Sequence, residues 1–301
     1  MKNRFFSNNL LLLVLLSAIW GSAFIAIKVS VEFINPLSVA SLRLILGALF
    51  LFIIFSLKKY SLNISKKNII LIILIGVIGN FIPFSLISWS EQYVQSNVAG
   101  LLLSVGPLFT LVLSHFLTKD DKFTLIKFIS ISIGFLGVLI IIGFNTILNL
   151  VSGDAENLFP KIAIVLSALG YSISSILAYN IKNLGTIQLT TFVTISAAIV
   201  SIPFMIMGEI QSPSFFHLNS VLAIIYLGVF PTALAFQLRF YLISKAGPIF
   251  LSYVAYLIPI FAIIWGYVFL KEVVSIEVIL GVILVLVGVF ISQKKTKNTN
   301  G

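Results

Sequence analysis

The chain is 301 residues long, 59% of them hydrophobic and only 9% charged, with a formal net charge of +10. A soluble domain carries about 25% charged residues, so this composition excludes a water-exposed globular surface and turns the basic balance away from nucleic acid. No cysteine is present, which excludes disulfides and thiolate metal sites.

A helix crosses ~30 Å of hydrocarbon in about 20 mostly apolar residues. Apolar runs bounded by charged, Pro, Gly or Asn punctuation predict ten such spans, at about 10–28, 37–57, 69–90, 94–117, 124–143, 160–181, 188–207, 218–243, 247–270 and 274–292. The first run follows Lys2 and Arg4, as a signal peptide would. From Leu10 to Ile27 it is long for a signal core, contains Trp20 and ends without a small-residue cleavage site, so it is expected to be retained as a span. Spans three and four are joined by a short turn around Glu91 and Gln92, and spans eight and nine by one around Lys245 and Gly247. Both pairs are expected to be helical hairpins. The longest connection, 146–159, carries Gly153, Asp154 and Glu156 and divides the spans five and five.

An even number of crossings puts both termini on one side, and the excess of Lys and Arg in short loops marks that side as cytoplasmic. Alternate connections hold Lys58, Lys59, Lys66 and Lys67, then Lys119 and Lys122, then Lys182, then Lys245. The ends add Lys2, Arg4 and the 294–301 tail with Lys294, Lys295 and Lys297. The opposite connections carry Glu32, Glu91, Asp154, Glu156, Glu209 and Glu272, with only Lys28, Lys161 and Lys271 as bases. Both termini are therefore expected in the cytoplasm and the 146–159 connection outside.

The two halves resemble each other. Ser90–Phe109 aligns without gaps on Leu242–Phe261, superposing Pro107 on Pro259, and the register continues to place Lys119-Asp120 on Lys271-Glu272. Gly137-Val138 pairs with Gly288-Val289, and Leu16-Ser17-Ala18 with Leu166-Ser167-Ala168. A unit of five crossings is odd, so its second copy enters the membrane upside down. The expected fold class is thus an all-α polytopic membrane protein with ten transmembrane helices as two inverted five-helix repeats, 1–145 and 160–293. Such repeats are the usual structural basis of alternating access.

Across about residues 10 to 292 the sequence resembles the EamA-type branch of the drug/metabolite transporter superfamily. The residues that carry the resemblance are Trp20-Gly21-Ser22-Ala23-Phe24 with Lys28, Pro36 with Arg43, Pro107, Leu257-Ile258-Pro259-Ile260, Phe269-Leu270-Lys271-Glu272 and the glycines from Gly281 to Gly288. The chain departs from the family where a Leu-Gly-Glu-like turn commonly ends the first half; Thr118-Lys119-Asp120-Asp121 stands there instead. The resemblance implies a ten-helix carrier with a central cavity that exports or exchanges amino acids or other metabolites.

Polar side chains persist at membrane depth only where they face protein or a water-filled cavity. Trp20, Asn80, Ser104, Tyr171, Thr232, Gln237, Tyr253 and Tyr256 lie near the middle of spans and form the candidate substrate-binding set. Pro83, Pro107, Pro231 and Pro259 sit deep in corresponding spans. Each lacks an N–H and frees the carbonyl four residues earlier, making these positions candidate hinges for gating. Lys28, Glu32 and Arg43 are grouped toward the outer ends of spans one and two as a candidate ionic cluster, while Arg239 is expected to snorkel from the inner end of span eight.

No carboxylate falls at the middle of a span, and the aromatic and amide set without deep fixed charge favours a zwitterionic or neutral metabolite over a polyanion. The expectation is a secondary transporter of the plasma membrane, an exporter or exchanger, with lipid as its solvent, no cofactor and no resident metal; a homodimer stays open. The alternative is a polytopic membrane enzyme acting on a lipid-linked substrate. Its sequence basis is Asp120-Asp121, which reads better as a solvated turn beside Lys119 and Lys122. His115 and His217 sit at opposite helix ends and form no metal set, and no phosphate loop or nucleophile–base order is present.

Overall fold

The computed structural model describes residues 2–58, 60, 64–94, 96–119, 122–142, 158–270 and 276–292. Most of the 146–159 connection, the 294–301 tail, Asp120, Asp121 and Glu272 lie outside the described residues.

Among the described residues the chain is all-helical. The first segment comprises α1 (Lys2–Val31), α2 (Pro36–Leu57), α3 (Lys66–Gly76), α4 (Ile82–Ser90), α5 (Ser96–Leu103), α6 (Gly106–Leu117) and α7 (Leu125–Ile142). The second comprises α8 (Leu158–Tyr179), α9 (Thr186–Gln211), α10 (Leu218–Leu227), α11 (Ala235–Ala246), α12 (Pro248–Ser252), α13 (Val254–Leu270) and α14 (Ile276–Ser292). Two π-helical turns, Val77–Phe81 and Gly228–Leu234, join α3 to α4 and α10 to α11 without interrupting the rods. Six continuous helices are long and apolar enough to cross a membrane. The shorter apolar helices Gly106–Leu117, Leu125–Ile140, Pro248–Phe261 and Ile279–Ile291 fall on the remaining predicted runs.

The outer surface is built as hydrocarbon requires. Leu11, Leu57, Phe116, Ile210 and Leu218 are among many large apolar side chains that point outward. Ser and Thr turn inward and return their hydroxyls to their own helices, as Ser17 to the Leu13 carbonyl, Ser30 to Ala26 and Thr194 to Thr190. That inversion is the organisation of a multi-pass membrane protein, in which each polar group must find a partner within the protein.

Local signals set the element ends. Asn35 accepts from the Leu37 N–H at 2.9 Å ahead of Pro36, the first residue of α2. Ser65 accepts from the Asn68 N–H to start α3. Gly247 stands between α11 and α12 at φ 89°, a left-handed conformation that a side chain would strain, and so closes the expected hairpin.

The four deep prolines behave in two ways. Pro83 follows the first π turn and Pro231 lies within the second, where the wider turn absorbs the ring that a regular helix would reject. Pro107 is the second residue of α6, just after the break at Ser104 and Val105, whereas Pro259 stays inside α13 and the break falls earlier, at Tyr253.

The two π turns also allow unusually close packing. A Cβ on Gly79 would lie 2.2 Å from the Ser174 Cβ, and one on Gly228 would lie 2.6 Å from the Leu46 Cβ. The first π turn is thereby pressed against α8 and the second against α2.

Connections gather at two ends. Phe33, Asn35, Ser90, Pro160, Gly208, Ser212 and Phe215 meet at one, through bonds such as Phe215 N–H to the Phe33 carbonyl and Ser90 Oγ to the Pro160 carbonyl. Asn68 with Asn183, and Asn180 with the Leu117 carbonyl, meet at the other.

Candidate functional site

A cavity opens at the centre of the helices. Its walls come from α1, α2, α4, α5, α6, α8, α11, α12 and α13, so both segments contribute. Most of the lining is apolar: Trp20, Phe24, Phe84 and Phe236 supply aromatic faces and edges. Phe236 meets Trp20 edge-on at 6.2 Å and lies 5.6 Å from Phe84 between ring centroids. The Trp20 indole N–H donates to the Pro231 carbonyl at 3.0 Å, which ties α1 to the second π turn.

Two arginines face this apolar space. Arg43 reaches in from α2 and is 3% exposed. Its Nε donates to Thr232 Oγ1 at 3.1 Å, and its guanidinium carbon sits 3.7 Å from the Phe84 ring centre, a cation–π contact. Arg239 reaches in from α11 and is 1% exposed. Its Nη1 donates to Asn80 Oδ1 at 3.4 Å, and its Nη2 to Ser174 Oγ at 2.5 Å, Ser175 Oγ at 3.2 Å and the Tyr171 carbonyl at 3.3 Å. Every one of these acceptors is neutral. No Asp or Glu lines the cavity among the described residues.

Each arginine is held by a π turn of the other segment. Thr232 belongs to Gly228–Leu234 and grips Arg43 of the first segment; Asn80 belongs to Val77–Phe81 and grips Arg239 of the second. The wider turn points one polar side chain sideways at a depth where an ordinary helix would close on itself.

Of the eight candidate binding residues, only Trp20 and Tyr171 line the cavity. Asn80 and Thr232 support the arginines instead. Gln237 turns to Thr186, its Nε2 donating to Oγ1 at 3.0 Å. The Tyr256 hydroxyl donates to the Ile131 carbonyl of α7 at 3.0 Å, and Tyr253 packs edge-on against Tyr256. Ser104 is buried at the α5–α6 break.

The proposed ionic cluster does not assemble. Lys28 donates from Nζ to the Glu91 backbone carbonyl at 2.7 Å, while Arg43 lies in the cavity and Glu32 is exposed outside it. Arg239 likewise does not snorkel. It lies seven positions before the end of α11 at Ala246, about 10 Å of helix, and it is fully enclosed. The reading of a cavity without deep fixed charge is therefore wrong.

Beyond the cavity, Glu91 caps α4 with its carboxyl buried. Its Oε2 accepts from Ser96 Oγ at 2.7 Å, and burial pushes its pKa up to about 7 against the smaller opposing pulls of Ser96 and Lys28.

The model of the EamA-like transporter family matches residues 8–143 and again residues 158–293. The chain belongs to the EamA-like transporter family. That membership points to a transporter rather than an enzyme and gives no support to the lipid-linked alternative.

Relatives agree in length. An uncharacterized transporter of Archaeoglobus fulgidus is 28% identical over 285 residues, 95% of this chain and 98% of its own. YoaV of Bacillus subtilis, also named an uncharacterized transporter, is 25% identical over 93% of this chain and 94% of its own. PagO of Salmonella typhimurium is 27% identical over 94% and 91%. A solved crystal structure superposes with a TM-score of 0.77 over 95% of this chain and 96% of that one, at 17% identity, and shows a shared fold.

Arg239 and the aromatic wall of Phe84 and Phe236 were missed from the sequence. A usable signal existed: Arg239 is a guanidinium seven positions inside a helix end, and intramembrane charge marks function by default.

Proposed function

We propose that this EamA-like transporter is a secondary carrier of small organic metabolites, amino acids among the candidates, that exports or exchanges them across the plasma membrane by alternating access. The observation that carries the reading is the central cavity, lined by helices from both matched segments. A site shared between two bundles is exposed to either side as the bundles rock, which is how such carriers move a solute without an open pore.

In this reading the shorter helices complete ten crossings, and the second segment repeats the first in inverted orientation. Support comes from the tandem family match, from the π turns in the third and eighth predicted spans, and from the reciprocal grip of each turn on the other segment's arginine. The acidic connections gather at one end with Glu32, Glu91 and Glu209, the lysine-rich ones at the other, which favours cytoplasmic termini. The π turns and the breaks at Ser104–Val105 and Tyr253 are the natural hinges, with Pro83, Pro107, Pro231 and Pro259 beside or within them.

Two measurements test this. Compartment reporters after Asn149 and at the C-terminus are expected on opposite faces; the same face for both would end the inverted-repeat reading. Comparison of metabolites retained by cells lacking or overproducing the protein is expected to show a small solute depleted by the carrier, and purified protein in liposomes should move it.

A further inference from the structure

We infer that the substrate is an organic anion, a carboxylate on an apolar, aromatic-sized body, whose charge is taken by Arg43 in the field of Arg239. The inference rests on the transporter reading and narrows its substrate.

A guanidinium moved from water into an apolar interior loses several kcal/mol of hydration, and it stays there when an anion or several hydrogen-bond acceptors replace the water. Arg239 has its acceptors from protein. Arg43 has one, Thr232, at Nε, and the Phe84 ring beneath its plane. Its two terminal nitrogens meet no protein acceptor among the described residues, although the side chain is almost wholly enclosed and borders the cavity. Those nitrogens form the fork that binds a carboxylate through two parallel bonds.

Among the described residues the protein does not supply that carboxylate. The chain has nine acidic residues: Glu32, Glu91 and Glu209 at helix ends, Asp120, Asp121, Asp154, Glu156 and Glu272 in connections, and Glu277 at the start of α14. Among the described residues no acidic side chain borders the cavity, so the solute is the available counter-charge.

The same argument selects against an ammonium group. A zwitterion would bring its positive end into a space that already holds two cations and, among the described residues, no carboxylate. Of the other polar lining residues, Thr110, Ser172 and Ser175 donate to the backbone carbonyls of their own helices. Trp20, Phe24, Phe84 and Phe236 provide an apolar wall for the body of the molecule.

A probe series with one body and three charge states tests this on the full-length protein: 3-phenylpropanoate, phenylalanine and 3-phenylpropanamide. Binding to purified protein in detergent, by calorimetry, is expected to favour the propanoate at least ~10-fold over the other two. Arg43→Gln is expected to weaken propanoate binding ~10–100-fold and leave the amide unchanged, with Arg43→Lys recovering part of the loss. Equal or tighter binding of the amide or the amino acid, or no propanoate binding by wild-type protein with an intact thermal transition, overturns the inference. The wild-type ranking stands without any variant, so misfolding of Arg43→Gln leaves the test decisive. Liposomes separate the two claims. Propanoate that binds selectively but is not moved overturns the carrier reading alone, whereas flux of all three probes at equal rates overturns the anion reading alone.

Discussion

Arg43 and Arg239 enter one cavity from opposite segments, and they are held in opposite ways. Arg239 spends two of its nitrogens on four neutral acceptors from α8 and the first π turn, while Arg43 rests on one hydroxyl and one ring face. Burial is nearly equal, 1% and 3% exposed, so depth does not distinguish them. The hydrogen-bond partners do. A cation whose donors are satisfied by protein behaves as part of the scaffold, and one with donors to spare beside a cavity is the better candidate to take a ligand.

The largest expected effect tests that division through stability. Arg239→Met strands Asn80, Ser174 and Ser175 around an apolar side chain and removes the bond that joins the two segments there, so it should cost about 2–4 kcal/mol. Arg43→Met loses one neutral bond and should cost under about 1 kcal/mol, while abolishing anion binding. Unfolding of both variants in mixed micelles with rising SDS measures the difference; an Arg43 variant as unstable as the Arg239 variant would erase the contrast.

A second test moves from the arginine to its support. Gly79→Ala puts a Cβ 2.2 Å from Ser174 Cβ and 2.3 Å from the Oγ that Arg239 uses, so the π turn or α8 must shift, at about 1–3 kcal/mol. Gly100→Ala is the control, since its nearest neighbour would be Pro259 Cγ at 3.8 Å, ordinary contact. It is expected to stay within about 0.5 kcal/mol of the parent. Matching losses at the two glycines would show that the close approach at the π turn has no special role.

These residues also show what the sequence could reveal. Run length and polarity located the helices because hydrocarbon imposes its thickness on every span, and Trp20 and Tyr171, chosen for their mid-span polarity, line the cavity. Asn80 and Thr232 were expected in the substrate-binding set, and the structure sets them against the arginines. Their sideways direction depends on π turns, which have no periodicity of their own and appear only when Pro83 and Pro231 meet neighbours packed at Gly79 and Gly228. Arg239 was misread because distance from a helix end was judged without knowing what surrounds it. Lys28, Glu32 and Arg43 look adjacent along the chain, yet the helix carries Arg43 inward and leaves Glu32 exposed.

Tyr256 sharpens the same distinction between scaffold and site on a smaller scale. Tyr256→Phe removes one hydroxyl bond to the Ile131 carbonyl and is expected to cost about 0.5–1.5 kcal/mol, with probe affinity unchanged because the ring lies behind the cavity wall. Calorimetry on the variant checks this, and a shift in affinity would place the tyrosine in the site after all.

Glu91 is the anionic counterpart to the two arginines, buried at a helix end instead of mid-depth. Lys28 bonds its backbone carbonyl rather than its carboxylate, so the charge relies on Ser96 alone for a hydrogen bond while burial opposes it. The folded pKa of about 7 stands above the ordinary 4.5, so folding favours the protonated form. Stability from this group is therefore complete below about pH 4.5 and is lost as pH rises through about 7. Glu91→Gln keeps a side chain of the same shape and removes the titration. Its thermal midpoint is expected to match the parent at pH 4.5 and exceed it at pH 8. A gap that stays constant between the two pH values would mean that the carboxylate ionises in the folded protein as freely as in water, and that Lys28 or solvent reaches it after all.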